Sequence, residues 1–106
     1  MIDSVLNTAI SGLRVASQRA EVAANNIVNV STDGFTADSV QQSSIVTNST
    51  PAGGSGVQAQ IINGNQPTDL ASEIVALIEA EIAYKASAET LRTAEELANE
   101  LVDIQT

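Results

Sequence analysis

The sequence predicts an all-α fold: two long antiparallel helices forming a coiled-coil-like hairpin, joined by a short β-hairpin or flexible connector. Three observations predict it. Residues 2–30 place Ile2, Leu6, Ala9, Leu13, Ala16, Ala20, Ala23, Ile27 and Val30 at alternating steps of four and three, the seam of a packed helix. Residues 69–104 carry a second apolar periodicity, opened by Pro67 and a capping Thr68 or Asp69. Between them, residues 36–67 lose the helical period and turn rich in Ser, Thr, Gln and Gly. The chain therefore divides into residues 1–35, an N-terminal helix with an Asn-rich turn; 36–67, a connector; and 68–106, a C-terminal helix.

The first helix spans about 42 Å at 1.5 Å of rise per residue. Asn7, Ser11, Arg14, Gln18, Glu21 and Asn25 share a polar face away from the seam. Gly12 costs about 1 kcal/mol relative to Ala inside a helix. It is either a tolerated defect or a close crossing point for another helix, since the residues at 8, 9, 11 and 16 are also small. The helix is expected to stop in Ala24-Asn25-Asn26-Ile27-Val28-Asn29, because Asn side chains compete for nearby backbone groups and suit helix ends. Gly34 can take the left-handed conformation that closes such an end. Phe35, the sole Phe, is expected to fold the exit segment back onto the helix.

In the connector, Thr36 to Val46 is polar and β-tolerant, Thr47 to Gly56 has turn composition, and Val57-Gln58-Ala59-Gln60-Ile61 alternates like a half-buried strand. A hairpin follows if the two runs pair. An isolated hairpin is marginal in water, so a mobile connector is the other reading. Asn63-Gly64-Asn65-Gln66-Pro67 reads as the closing turn.

The second helix carries more apolar surface than one partner covers. One stripe runs Leu70, Ile74, Leu77, Glu81, Tyr84, Ala88, Leu91, Glu95, Ala98, Val102; another runs Ala80, Ala83, Ser87, Thr90, Ala94, Leu97, Leu101, Ile104. Val75, Ile78 and Ile82 widen the face near its start. The surplus predicts several neighbours. Leu6, Leu13, Ile27, Leu70, Ile74, Leu77, Tyr84, Leu91, Leu97 and Leu101 are the expected seam and assembly residues, although Tyr84 can equally be an internal contact between the helices. Glu81 and Glu95 interrupt the first stripe. Either the seam drifts and they face water, or they pair with Arg14 or Arg19, of this chain or a neighbouring copy, and set register.

Two segments carry a resemblance. Ser11-Gly12-Leu13, Asn25-Asn26-Ile27 after Ala24, Asn29, Thr32 and Gly34-Phe35 resemble the N-terminal signature of the bacterial flagellar axial family, the rod and hook proteins of the basal body. Val28 stands where that signature usually has Ala, and Asp33 where it has Pro; Asp preserves a turn. Asp69-Leu70, Glu73-Ile74-Val75, Leu77-Ile78, Ala80, Ala83-Tyr84, Ala86 and Thr93-Ala94-Glu95-Glu96-Leu97 are similar to the family's C-terminal segment. Most members insert larger β-rich domains between the helices, so this chain resembles a minimal rod-type member. The resemblance implies a structural subunit that passes unfolded through the flagellar export apparatus and polymerises through its terminal helices. The implied partners are copies of itself, other rod and hook proteins and the export apparatus; the implied place is the periplasm-spanning rod of the basal body. A generic helical-hairpin interaction module, a homodimer or an export chaperone, is the alternative; it shares the seam but does not explain the Asn-rich signature.

Composition agrees with a structural role. The net charge is -9, with Arg14, Arg19, Lys85 and Arg92 the only basic residues, which speaks against nucleic acid and anionic membranes as partners. No apolar run reaches the length of a membrane span, and Met1-Ile2-Asp3-Ser4 has neither basic nor apolar signal character, so no cleavable signal peptide is expected. The chain has no His and no Cys, removing the commonest acid–base, nucleophilic and metal-ligating groups. No enzyme activity, cofactor or metal is expected. Glu79 and Glu81, and Glu95, Glu96, Glu100 and Asp103, offer carboxylates to a hard cation, but a solvated acidic face accounts for them. With only Phe35 and Tyr84 aromatic and Ala abundant, little area is buried per side chain, so the isolated chain is expected to be marginal and to gain from neighbours.

Overall fold

A computed structural model of the chain describes residues 2–46 and 55–105. Two helices, α1 (Ile2–Val28) and α2 (Leu70–Gln105), bracket two strands, β1 (Ser39–Val46) and β2 (Ser55–Ile62). The expected mostly helical hairpin is present, and the connector is an ordered two-stranded antiparallel ribbon. Its register runs one to one from Ser39 opposite Ile62 to Val46 opposite Ser55, with no bulge. The turn expected at 47–56 falls, over residues 47–54, outside the described residues.

The helices are antiparallel. A Cβ built on Gly12 would meet Ser87, and Arg19 reaches Glu79, so positions rise on α1 as they fall on α2. In that register α2 runs about two turns past the start of α1. Among the described residues, α1 contacts α2 and both strands, while α2 contacts neither strand. The chain is thus a flat body of 63 × 28 × 14 Å with α1 in the middle. Domains commonly bury a core between two or three stacked layers; a body 14 Å thin is barely thicker than one helix with its side chains.

The core is correspondingly small-sided. Ala9, Val15, Ala16, Ala23, Ala80 and Ala94 are its buried apolar residues. Ala9, Ala16 and Ala23 lie seven residues apart on the expected seam. Val15 was not on that seam. It belongs with Thr8, Ser11, Val22 and Asn26 to a second stripe of α1, on the side covered by the ribbon, where Ser11 and Asn26 make their contacts. On α2 the stripe facing α1 is the small one, through Ala80, Ala83, Ser87 and Ala94, rather than the one through Leu70, Ile74 and Tyr84, which are exposed. Close approach explains the choice: Gly12 brings the backbones near enough that a Cβ there would sit 2.7 Å from Ser87 Oγ, and only small side chains fit such a crossing.

Asp69 precedes α2 and caps it. Its carbonyl accepts from the Glu73 N–H at 3.0 Å and its carboxylate Oδ2 from the Ser72 hydroxyl at 2.8 Å. Thr68, the other candidate cap, is not used; its hydroxyl is buried without a hydrogen-bond partner among the described residues.

Candidate assembly site

The Asn-rich end of α1 organises the turn into the ribbon. α1 ends at Val28, and the next bends are closed by backbone bonds from Asn29 N to Asn25 O (3.1 Å), Val30 N to Ile27 O (3.2 Å), Thr32 N to Asn29 O (2.9 Å) and Phe35 N to Thr32 O (3.2 Å). Side chains repeat the pattern. Asn29 Nδ2 donates to the Asn25 carbonyl at 2.9 Å and to Asn25 Oδ1 at 3.2 Å; the Thr32 hydroxyl donates to Asn29 Oδ1 at 3.1 Å. Gly34 has φ of 75°, the left-handed region in which a Cβ is disfavoured. Phe35 is half-buried.

Asn26 does something different. It lies inside α1, 0% exposed, and grips the backbone of Asp38: its Nδ2 donates to the Asp38 carbonyl at 2.8 Å and its Oδ1 accepts from the Asp38 N–H at 3.1 Å. One amide side chain stands in for a neighbouring strand. A second tie lies farther down α1, where Ser11 Oγ accepts from the Val57 N–H at 3.0 Å and donates to the Thr8 carbonyl at 2.7 Å. Gly56 packs against the same Ser11 side chain. The two ties fix both ends of the ribbon on α1.

The expected seam residues divide by exposure. Leu6, Leu13, Ile27, Leu77 and Leu91 are half-buried between the elements. Leu70, Ile74, Tyr84, Leu97 and Leu101 are exposed. Two apolar areas stay uncovered on α2. Val75, Ile78 and Ile82 lie across the helix from Ala80, since two residues turn about 200°, and Ile82 is 63% exposed. The overhanging end carries Leu97, Leu101, Val102 and Ile104, the last 75% exposed. Tyr84 lines an open groove with Leu13, Ser17, Gln18 and Ile61.

Within a single chain, Glu81 and Glu95 do not pair with Arg14 or Arg19 among the described residues. An ion pair between the helices joins Arg19 to Glu79 at 3.4 Å. Glu81 turns to Lys85 one turn on, at 3.1 Å, because two residues past Glu79 the helix has rotated away from Arg19. Arg14 and Glu95 are exposed and make no ion pair among the described residues. Arg92 binds Glu89 and Glu96 on the outer face of α2. The Arg92 hydrogen bond, and then its charge, hold the Glu89 carboxyl below its ordinary range, and Glu89 raises Arg92 in turn. Among the described residues no three acidic side chains gather as a metal site, and no helix is long and apolar enough to cross a membrane.

Comparison with known proteins bears on the same N-terminal stretch. Residues 6–36 match the family model of the flagella basal body rod protein. The matched segment begins on the second turn of α1 and ends just past Gly34-Phe35, so it contains the Ser11, Gly12, Asn26 and Gly34 geometry described above. The resemblance to the flagellar rod family is therefore found on the N-terminal helix and its turn; α2 lies outside the match. No curated protein matches the chain.

Proposed function

We propose that the chain is a structural subunit of the bacterial flagellar rod, an axial component of the basal body that polymerises through α1 and α2. The observation that carries this reading is the match of residues 6–36 to the rod family, coincident with the helix and turn that hold the molecule together. The uncovered apolar rows of α2 support it, because a monomer rarely leaves so much contiguous apolar surface to water. Their partners are copies of this chain and other rod and hook proteins. The role is structural, without catalysis, and the subunit reaches the rod through the flagellar export apparatus.

Electron microscopy of purified basal bodies tests the proposal. Cells lacking the protein are expected to yield basal bodies with missing or shortened rods, and to regain complete rods when it is restored. Complete rods in its absence would refute the assignment.

A further inference from the structure

We infer that the outer edge of β1 is a self-pairing surface: β1 of a second copy joins it antiparallel, making a four-stranded sheet across a two-fold axis. This goes beyond the structural-subunit reading and does not rest on it: a two-fold pair is a state of the free chain, distinct from packing along a rod.

The backbone geometry defines the edge. Val57 N–H leaves the ladder to reach Ser11, although Val57 stands opposite Ser44. That pair is therefore one whose backbone groups point away from each other, and in an antiparallel ribbon such pairs alternate. Val40, Gln42, Ser44 and Val46 accordingly turn their N–H and C=O groups to the far side of β1. No element among the described residues pairs with them, and residues 41–46 are all exposed.

Strand edges of this kind are normally blocked by charge, proline, a bulge or a covering element. Over residues 41–46 none of these is present among the described residues. Ser39–Val46 contains no Pro, and the register contains no bulge. Residues 39–68 contain no Asp, Glu, Lys or Arg, in a chain of net charge -9. This neutrality argues for a second copy as the occupant. Two identical acidic chains repel over most of their surfaces, whereas two β1 edges meet without bringing a charged side chain into the pairing.

Closure argues the same. The other edge of the ribbon, along β2, is already held on α1 through Val57 and Ser11. Adding one β1 to another therefore uses up both free edges and stops at two copies, as an isologous contact does. A two-stranded ribbon is marginal alone, and added strands strengthen it. Pairing centred on Ser43 places Gln42 opposite Ser44 of the second copy, while Val40, half-buried beside Arg19 and Ala23 of α1, stays outside the contact.

The purified full chain tests this without the flagellum. It has no native cysteine, so Ser43→Cys can form a disulfide only with another molecule. Under mild oxidation Ser43→Cys should dimerise ~10-fold or more faster than Ser17→Cys, an exposed position on α1, because pairing raises the local thiol concentration. Adding Gln42→Pro, whose lost N–H points outward and leaves the ribbon's own ladder intact, should remove the excess while circular dichroism stays unchanged. Equal rates at the two positions, or an excess that survives Gln42→Pro, would overturn the inference. So would Ser43→Cys in cells coupling only to a different polypeptide. A failed cross-link with rods still lost on deletion would remove the β1 contact alone and leave the rod assignment standing.

Discussion

The side chain of Asn26 binds the backbone of Asp38 through both its amide atoms, at 2.8 and 3.1 Å, and it is fully buried in the core. Removing one partner of a buried pair strands the other without water. Asn26→Leu should therefore lower unfolding stability by about 2–4 kcal/mol, read by urea denaturation. Asn26→Asp should be nearly as costly at neutral pH: it keeps the acceptor for the Asp38 N–H but turns a carboxylate on the Asp38 carbonyl. Lowering the pH should restore part of that loss, because the protonated acid can donate again. A loss below 0.5 kcal/mol for Asn26→Leu would show that the ribbon does not depend on this clamp.

Gly12 and Ser87 mark a close approach of the helices, with a built Cβ 2.7 Å from Ser87 Oγ and 3.5 Å from its Cβ. A hydroxyl can rotate away from one methyl group. Gly12→Ala should then be close to neutral, the clash offset by about 1 kcal/mol of helix propensity; in a Ser87→Ala background it should be stabilising by about that amount. Gly12→Leu forces the helices apart and should cost about 1–3 kcal/mol. Thermal unfolding of the four variants checks the order.

Gly34 and Gly64 are required for different reasons. Gly34 has φ of 75° and nothing within 4 Å of a built Cβ, so Gly34→Ala should cost about 1 kcal/mol and Gly34→Asn less, since Asn tolerates that region. At Gly64 a Cβ would lie 2.0 Å from the Ala37 carbonyl oxygen, where the Ala37 N–H is bonded to the Gln66 carbonyl at 3.0 Å. Backbone cannot rotate aside. Gly64→Ala should cost more than Gly34→Ala, and Gly64→Asn should give no relief.

Glu89 should titrate below its ordinary value of 4.5 because Arg92 bonds and attracts its carboxylate. A carboxyl lowered in the folded state stabilises above the ordinary value, and that contribution is lost as pH falls through the lowered one. The pair is exposed, so the effect on folding should be slight, but the titration is readable. Arg92→Ala should move the Glu89 midpoint up towards 4.5 in an NMR titration. An unmoved Glu89 would mean that the ion pair does not persist in solution.

Ile82 and Ile104 face water in the single chain. Surface substitutions away from packed groups usually shift stability by no more than about 0.5 kcal/mol. Ile82→Lys and Ile104→Lys should leave the unfolding midpoint of dilute protein within that range, while lowering self-association in sedimentation and impairing rod formation in cells. Unchanged assembly would exclude these rows as contacts.

Both helices were legible in the sequence because apolar spacing at 3.6 residues survives any choice of partner. The ribbon was legible as one of two readings, through the alternation at Val57–Ile61. Which stripe of α2 meets α1 was not. Both stripes are apolar in the sequence, and the close crossing at Gly12 sets Ala80, Ala83, Ser87 and Ala94 against α1. Asn26 reads in the sequence as part of a helix end, because its partner lies twelve residues on and is backbone, which has no sequence signature. A trace existed: Thr8, Ser11, Val15, Val22 and Asn26 share a spacing of three, four and seven that the main seam left unexplained. The interhelical ion pair fell on Glu79 rather than Glu81 because register depends on how the small residues interlock, a choice that charge pattern does not contain.

The 14 Å depth of the body sets its thermodynamics. Nearly every side chain keeps one flank in the solvent, so a lone molecule has little to dehydrate when it folds and a low heat-capacity change on melting. In the proposed polymer, stacking against neighbours supplies the missing drying. Ordering the chain and adding it to a growing end then become a single event, and the temperature at which it melts should climb with protein concentration.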